Sequence, residues 1–160
     1  MLEGRSRHMA ARSDIENALQ SAMLALAELG KTCDVTAEDI ARWFEADSPY
    51  PDITLDEVLK VPWLVVHEIV EIDAVKRAGL ALTKDVITTH PDEVDRAHYE
   101  AAKIELKIAA KNKDAAHLRD RIPDIRSWSK DAHVLPEMRA RYARLCSETE
   151  QALRTIENEE

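Results

Sequence analysis

The sequence predicts an all-α fold, one compact domain of about six to eight helices with no sheet. Three observations predict it. Helix-start signals follow one another along the chain with little between them. Glycine is scarce, and Gly30 and Gly79 each stand just past a stretch of helical apolar spacing. No segment alternates apolar and polar residues between hairpin turns. Val65-Val66 and Ile69-Val70 are β-branched, but they sit in a window too long for a strand.

Ser13-Asp14-Ile15-Glu16 reads as a capping box. Ile15, Leu19, Ala22, Leu26 and Leu29 follow at helical spacing until Gly30 offers a left-handed stop. Thr36-Ala37-Glu38-Asp39 opens a second helix, which ends before the loop-like stretch from Ser48 to Asp52. Thr54-Leu55-Asp56-Glu57 opens a short third. Pro62 suits the first turn of a fourth, which runs to Gly79. Thr83 starts one turn or two. Pro91-Asp92-Glu93 pairs a proline with the acids that favour a helix N-terminus, and that helix should reach about Asn112. Asp114 caps a seventh piece, broken or kinked at Pro123, and Pro136 opens the last, long helix, with fraying after Ile156.

Composition excludes several function classes. The chain has 160 residues, enough to bury a core without disulfides or a structural metal. Residues 1–8 read as a cloning remnant, with Met9 the expected native start and one helical domain over 9–160. The scarcity of glycine removes the P-loop and the dinucleotide turn, so no nucleotide or flavin loop is expected. Twenty-two basic residues against 31 acidic ones give a net charge of −9, which argues against nucleic acid and anionic membranes as partners. Val35 to Phe44 has the look of the first helix of a helix-turn-helix, but the next helix opens Thr54-Leu-Asp-Glu and would repel phosphate. Cys33 and Cys146 lack C-x-x-C spacing and read as two thiols of a reducing cytosol, so the expected location is cytoplasmic. No apolar run approaches the roughly 20 residues that span a bilayer.

Helical wheels bring out the chemistry. On the fourth helix, Asp73, Lys76 and Arg77 share one arc, the expected wet side. The opposite arc holds Leu64, His67, Glu71, Val75 and Ala78, with Glu68 at its edge. His67 and Glu71 are one turn apart and can converge. On the helix from Pro91, Arg96, Glu100, Lys103, Lys107 and Lys111 form a charged stripe. Val94, His98, Ala101, Ala102, Glu105 and Ala109 face the other way, flanked by Asp95. Inward carboxylates and imidazoles need partners, because an unpaired buried carboxylate is costly. A divalent cation held by His67, Glu71, His98 and Glu105 would satisfy all four, with zinc, iron, manganese or nickel suited to the ligands. Magnesium enters only through the resemblance described next. Glu68 or Asp95 would be the catalytic base. Otherwise the same residues form a buried polar network.

Two partial resemblances accompany this set. Asp95-Arg-Ala-His98 and Asp114-Ala-Ala-His117 resemble the Glu-x-x-His element of ferritin-like di-iron proteins, each with Asp for Glu. Glu68-Ile-Val-Glu71 resembles the Glu-x-x-Glu element of all-α nucleoside triphosphate pyrophosphohydrolases, which implies Mg²⁺. Asp95-Arg-Ala-His98 departs from that family's second element, so neither family is assigned. His67-Glu68-Ile-Val-Glu71 also lacks the second His of a zincin.

Elsewhere the side chains read as structure. His117 is expected to be exposed, and Trp63 and Trp128 to pack at helix ends. Arg119, Arg121 and Arg126 could contact an anion, but Asp120 and Asp124 interleave and cancel the field. Met138, Tyr142, Leu145, Thr149, Leu153 and Ile156 stripe the last helix, which docks into the domain or across a homo-oligomer. Two function classes follow: a metal-dependent hydrolase, or a structural or protein-interaction protein with a buried polar network.

Overall fold

The computed structural model describes residues 11–45, 53–83 and 85–159. Among them lie eight helices and no strand. They are α1 (Arg12–Glu28), α2 (Ala37–Glu45), α3 (Leu55–Leu59), α4 (Pro62–Arg77), α5 (Val86–Thr89), α6 (Pro91–Lys111), α7 (Ala115–Trp128) and α8 (Pro136–Asn158). The all-α expectation holds. The expected remnant at residues 1–8 and the loop from Ser48 to Asp52 lie outside the described residues.

Local signals set most boundaries. Both glycines among the described residues have positive φ, 71° at Gly30 and 75° at Gly79. Each closes its helix with paired backbone bonds: Gly30 N–H to Ala27 and Lys31 N–H to Leu26, then Gly79 N–H to Lys76 and Leu80 N–H to Val75. Thr54 and Glu57 form a reciprocal capping box on α3. Thr36 and Asp39 do the same before α2. Pro62, Pro91 and Pro136 open α4, α6 and α8, where a missing N–H costs nothing.

Three local expectations fail. Ser13 caps nothing: α1 starts two residues earlier, behind Ala11, and Glu16 reaches back to Arg12 at 3.1 Å instead of to a cap. Pro123 does not break α7, which is continuous through Trp128. The residue is exposed, so water can take the carbonyl that proline leaves unpaired. The last helix continues past Ile156 to Asn158.

α6 is the organising element. Consecutive residues on it face two different apolar clusters. Ala101 and Ile108 join the cluster built with α1, α2, α3 and α4, while Ala102 and Ala109 join the one built with α7 and α8. The alanines are fully buried, so the neighbouring helices approach α6 closely. α4 makes the most extensive pairing with it. The predicted stripe of α8 is buried at Met138, Tyr142, Leu145, Thr149 and Ile156, against α6 and α7 of the same chain. No described helix is long and apolar enough to cross a membrane.

The wheel of α4 needs correction at Asp73 and Ala78. Asp73 is buried: it accepts the Asp34 N–H at 2.9 Å and Arg77 Nε at 2.9 Å, because the α1–α2 connection folds over the side expected to be wet. Ala78 is exposed, because the helix ends at Arg77 and Ala78 is its C-cap.

Candidate metal centre

The polar residues of α4 and α6 meet at the seam between the two apolar clusters. α4 contributes His67 and Glu71, spaced one turn apart, with His67 Nε2 3.2 Å from Glu71 Oε2. α6 contributes His98, whose ring centroid is 4.9 Å from that of His67. His67, Glu71 and His98 each offer one ligand atom, and these atoms lie within 4.8 Å of one another. This group can hold a metal ion. Two of the three residues are buried and His98 is half-buried.

Each imidazole is held from behind. His67 Nδ1–H donates to Glu105 Oε1 at 2.8 Å. His98 Nδ1 shares a hydrogen bond of 2.6 Å with the Tyr142 hydroxyl on α8. The His98 ring also packs edge-on against Trp128 of α7, with centroids 4.5 Å apart. With Nδ1 engaged outside the group in both rings, Nε2 is the nitrogen through which each would bind a metal, His67 first giving up the proton it shares with Glu71.

Glu105, expected as the fourth ligand, stands beside the group rather than in it. It is fully buried and receives four donors. His67 Nδ1 and an Arg121 terminal nitrogen approach Oε1 at 2.8 and 3.0 Å, and His117 Nε2 and Arg121 Nε approach Oε2 at 2.7 and 2.8 Å. Arg121 also lies over the Trp128 ring, 5.1 Å from its centroid. Its guanidinium therefore serves an internal carboxylate and does not form an external anion site with Arg119 and Arg126. Those two pair with Glu157 and Glu150 at the surface.

His117 corrects another expectation. It is buried, and it points inward to Glu105 from the first turn of α7. That turn is fixed by Asp114, which caps the His117 N–H at 3.1 Å and accepts Trp63 Nε1–H at 2.7 Å. Sequence spacing held a signal for this. His117, Arg121 and Trp128 recur at helical intervals beside the apolar stripe of Leu118, Ile122 and Ile125.

The local field is strongly structured. Burial penalises charge on His67, but the hydrogen bonds to Glu105 and Glu71 outweigh it and push its pKa up to about 10. Burial would raise Glu105, yet His117, His67 and Arg121 hold it well below the usual carboxylate range. Burial likewise opposes the Glu71 carboxylate, which the hydrogen bond with His67 keeps lowered. His98 is pushed down to about 4 by burial, so it is a neutral imidazole at neutral pH. Glu68, half-buried, is raised to about 7 by burial and by the nearby charge of Glu71.

Asp95 lies elsewhere in the arrangement. Its carboxylate accepts the Leu135 N–H at 3.2 Å and so anchors the connection between α7 and α8. A cavity of about 880 Å³ opens between α1, α3 and the start of α4, lined by Ala22, Leu59 and Trp63 among others. None of the group's residues lines it. No protein-family model, curated protein or solved structure matches this chain, so the site is read from its own geometry.

Proposed function

We propose that the protein binds a divalent transition metal through His67, Glu71 and His98 and uses it in a hydrolytic reaction. One observation carries the reading: two imidazoles and one carboxylate, from two facing helices, converge within 4.8 Å. Two nitrogen ligands favour zinc, iron, manganese or nickel over magnesium, which prefers an all-oxygen shell. Three protein ligands leave a coordination position open, as in catalytic rather than structural zinc sites. A divalent cation there would supply Lewis acidity, lowering the pKa of a water toward neutrality. Glu68, one residue from His67 and raised to about 7, is suited to move a proton at neutral pH. Asp95 is committed to the α7–α8 connection and has no part in this proposal.

A second reading, a structural or interaction protein, is favoured by a different observation. A protonated His67 lies between Glu71 and Glu105, with Arg121 on the far side of Glu105, so the buried charges balance without a cation. The 880 Å³ cavity beside α1, where Leu24 is 66% exposed, would then be the partner surface.

Calorimetric titration with Zn²⁺ separates the two. The metal reading expects one site per chain in wild type, and loss of that site in His98→Ala, which leaves the His67 ion pairs intact. Wild-type protein that takes up no Zn²⁺, Fe²⁺, Mn²⁺ or Ni²⁺ would leave the polar-network reading in its place. Metal-loaded protein is then assayed on phosphoester and carboxyl-ester substrates, with Glu68→Gln expected to slow turnover without loss of metal.

A further inference from the structure

We propose that Glu105 is a positioning residue, which fixes His67 with Nδ1 protonated and Nε2 aimed at the metal, and is not itself a ligand. The proposal rests on the metal reading of His67, Glu71 and His98. It follows from a count of lone pairs. An ionised carboxylate offers about four acceptor sites. Glu105 already meets four donors, two on each oxygen, at 2.7 to 3.0 Å. No lone pair is left for a cation, and the carboxylate has no exposed surface through which to turn.

The same four contacts decide what Glu105 does to His67. A carboxylate with no proton can only accept, so it demands a hydrogen on Nδ1. A bound cation would displace the second proton of His67 from Nε2, the nitrogen that faces Glu71, and the lone pair freed there would be the ligand. A carboxylate behind a ligating imidazole also raises its basicity and holds its plane.

Glu105 is in turn fixed from α7. Arg121 grips both oxygens, so the carboxylate plane cannot rotate without breaking two bonds at once. His117 holds Oε2, and the start of its helix is pinned to α4 through Asp114 and Trp63 Nε1. His117 and Arg121 of α7 thus reach the site through Glu105, while Trp128 of the same helix packs directly against His98. This explains why a helix that supplies no candidate ligand directs a His and an Arg into the interior.

The test uses Zn²⁺ alone as probe, on wild type and on Glu105→Gln. An amide cannot accept from four donors, and its NH₂ must oppose one of them. Zinc affinity is expected to fall about 10–100-fold, the usual consequence of losing a partner behind a ligand. With Co²⁺ in place of zinc, the visible absorption band should keep its position and intensity at saturation, since the ligand set is unchanged. If Glu105 were a ligand, that band would change. Because the variant can fail to fold, histidine ¹⁵N spectra of zinc-loaded wild type provide the second measurement. His67 should show a proton on Nδ1 and a metal-shifted Nε2. Undiminished zinc affinity in Glu105→Gln, or zinc on Nδ1 of His67 in wild type, overturns the proposal while leaving the metal reading intact. No zinc uptake by wild type overturns both.

Discussion

Replacing Arg121 by alanine tests the buried network independently of any metal. Arg121 supplies two of the four donors to Glu105, at 2.8 and 3.0 Å, and Glu105 has no exposed surface. Removing one partner of a buried pair costs about 3–5 kcal/mol, because the remaining charge is left undercompensated. Loss of the contact over Trp128, at 5.1 Å, adds roughly 0.5–2 kcal/mol. Two effects reduce the sum. His67 and His117 still donate to Glu105, and the Arg121 side chain is 17% exposed, so water can enter where it lay. The lower end, about 3 kcal/mol, is therefore expected. For a chain of this size that corresponds to a fall in Tm of roughly 6–12 °C. Arg121→Lys keeps the charge but cannot span both carboxylate oxygens, so its Tm should fall between the two. The assay is a thermal melt of metal-free protein at neutral pH, followed by circular dichroism. Arg121→Ala melting within about 2 °C of wild type would refute the reasoning.

Three further outcomes are expected. Leu145→Asp should cost more than about 4 kcal/mol in denaturant unfolding, since Leu145 is only 5% exposed between α7 and α8. Leu153→Asp, partly exposed on the same helix, should cost clearly less, and equal costs would disprove this docking of α8. Gly30→Ala should lose about 1–2 kcal/mol from its backbone conformation alone. The φ of Gly30 is 71° and an added Cβ meets nothing within 4 Å, so a stabilised variant would contradict the left-handed cap. Cys33 has its thiol pushed up to about 11 by burial and by Asp73. Site-resolved alkylation near pH 7.5 should be about 100-fold slower than for a free thiol and should accelerate as pH rises toward that value. A rate like that of an unstructured peptide would contradict it.

Several features of the site were legible because they are properties of one helix at a time. A rotation of about 100° per residue puts His67 and Glu71 on one face of α4 and His98 and Glu105 on one face of α6, opposite the charged stripe. Gly30, Gly79, Thr54 and Asp114 marked helix ends because their conformational and hydrogen-bonding preferences act within a few residues. Ser13 misled because Glu16 had a competing partner in Arg12.

Tertiary structure decided which inward faces meet and which lone pairs are already taken. The burial of Asp73 depends on the chain that crosses it, from Lys31 to Val35, and no wheel contains that information. Glu105 faces inward as its spacing requires, but His117 and Arg121 come from another helix, and their four contacts together with His67 exhaust its acceptors. Tyr142 lies on the apolar docking stripe of α8, yet its hydroxyl holds His98, a contact that its own helix does not encode. Periodicity reports the direction of a side chain from its own axis, whereas ligand or support is a matter of what stands opposite, and that is set by the packing of α4, α6, α7 and α8.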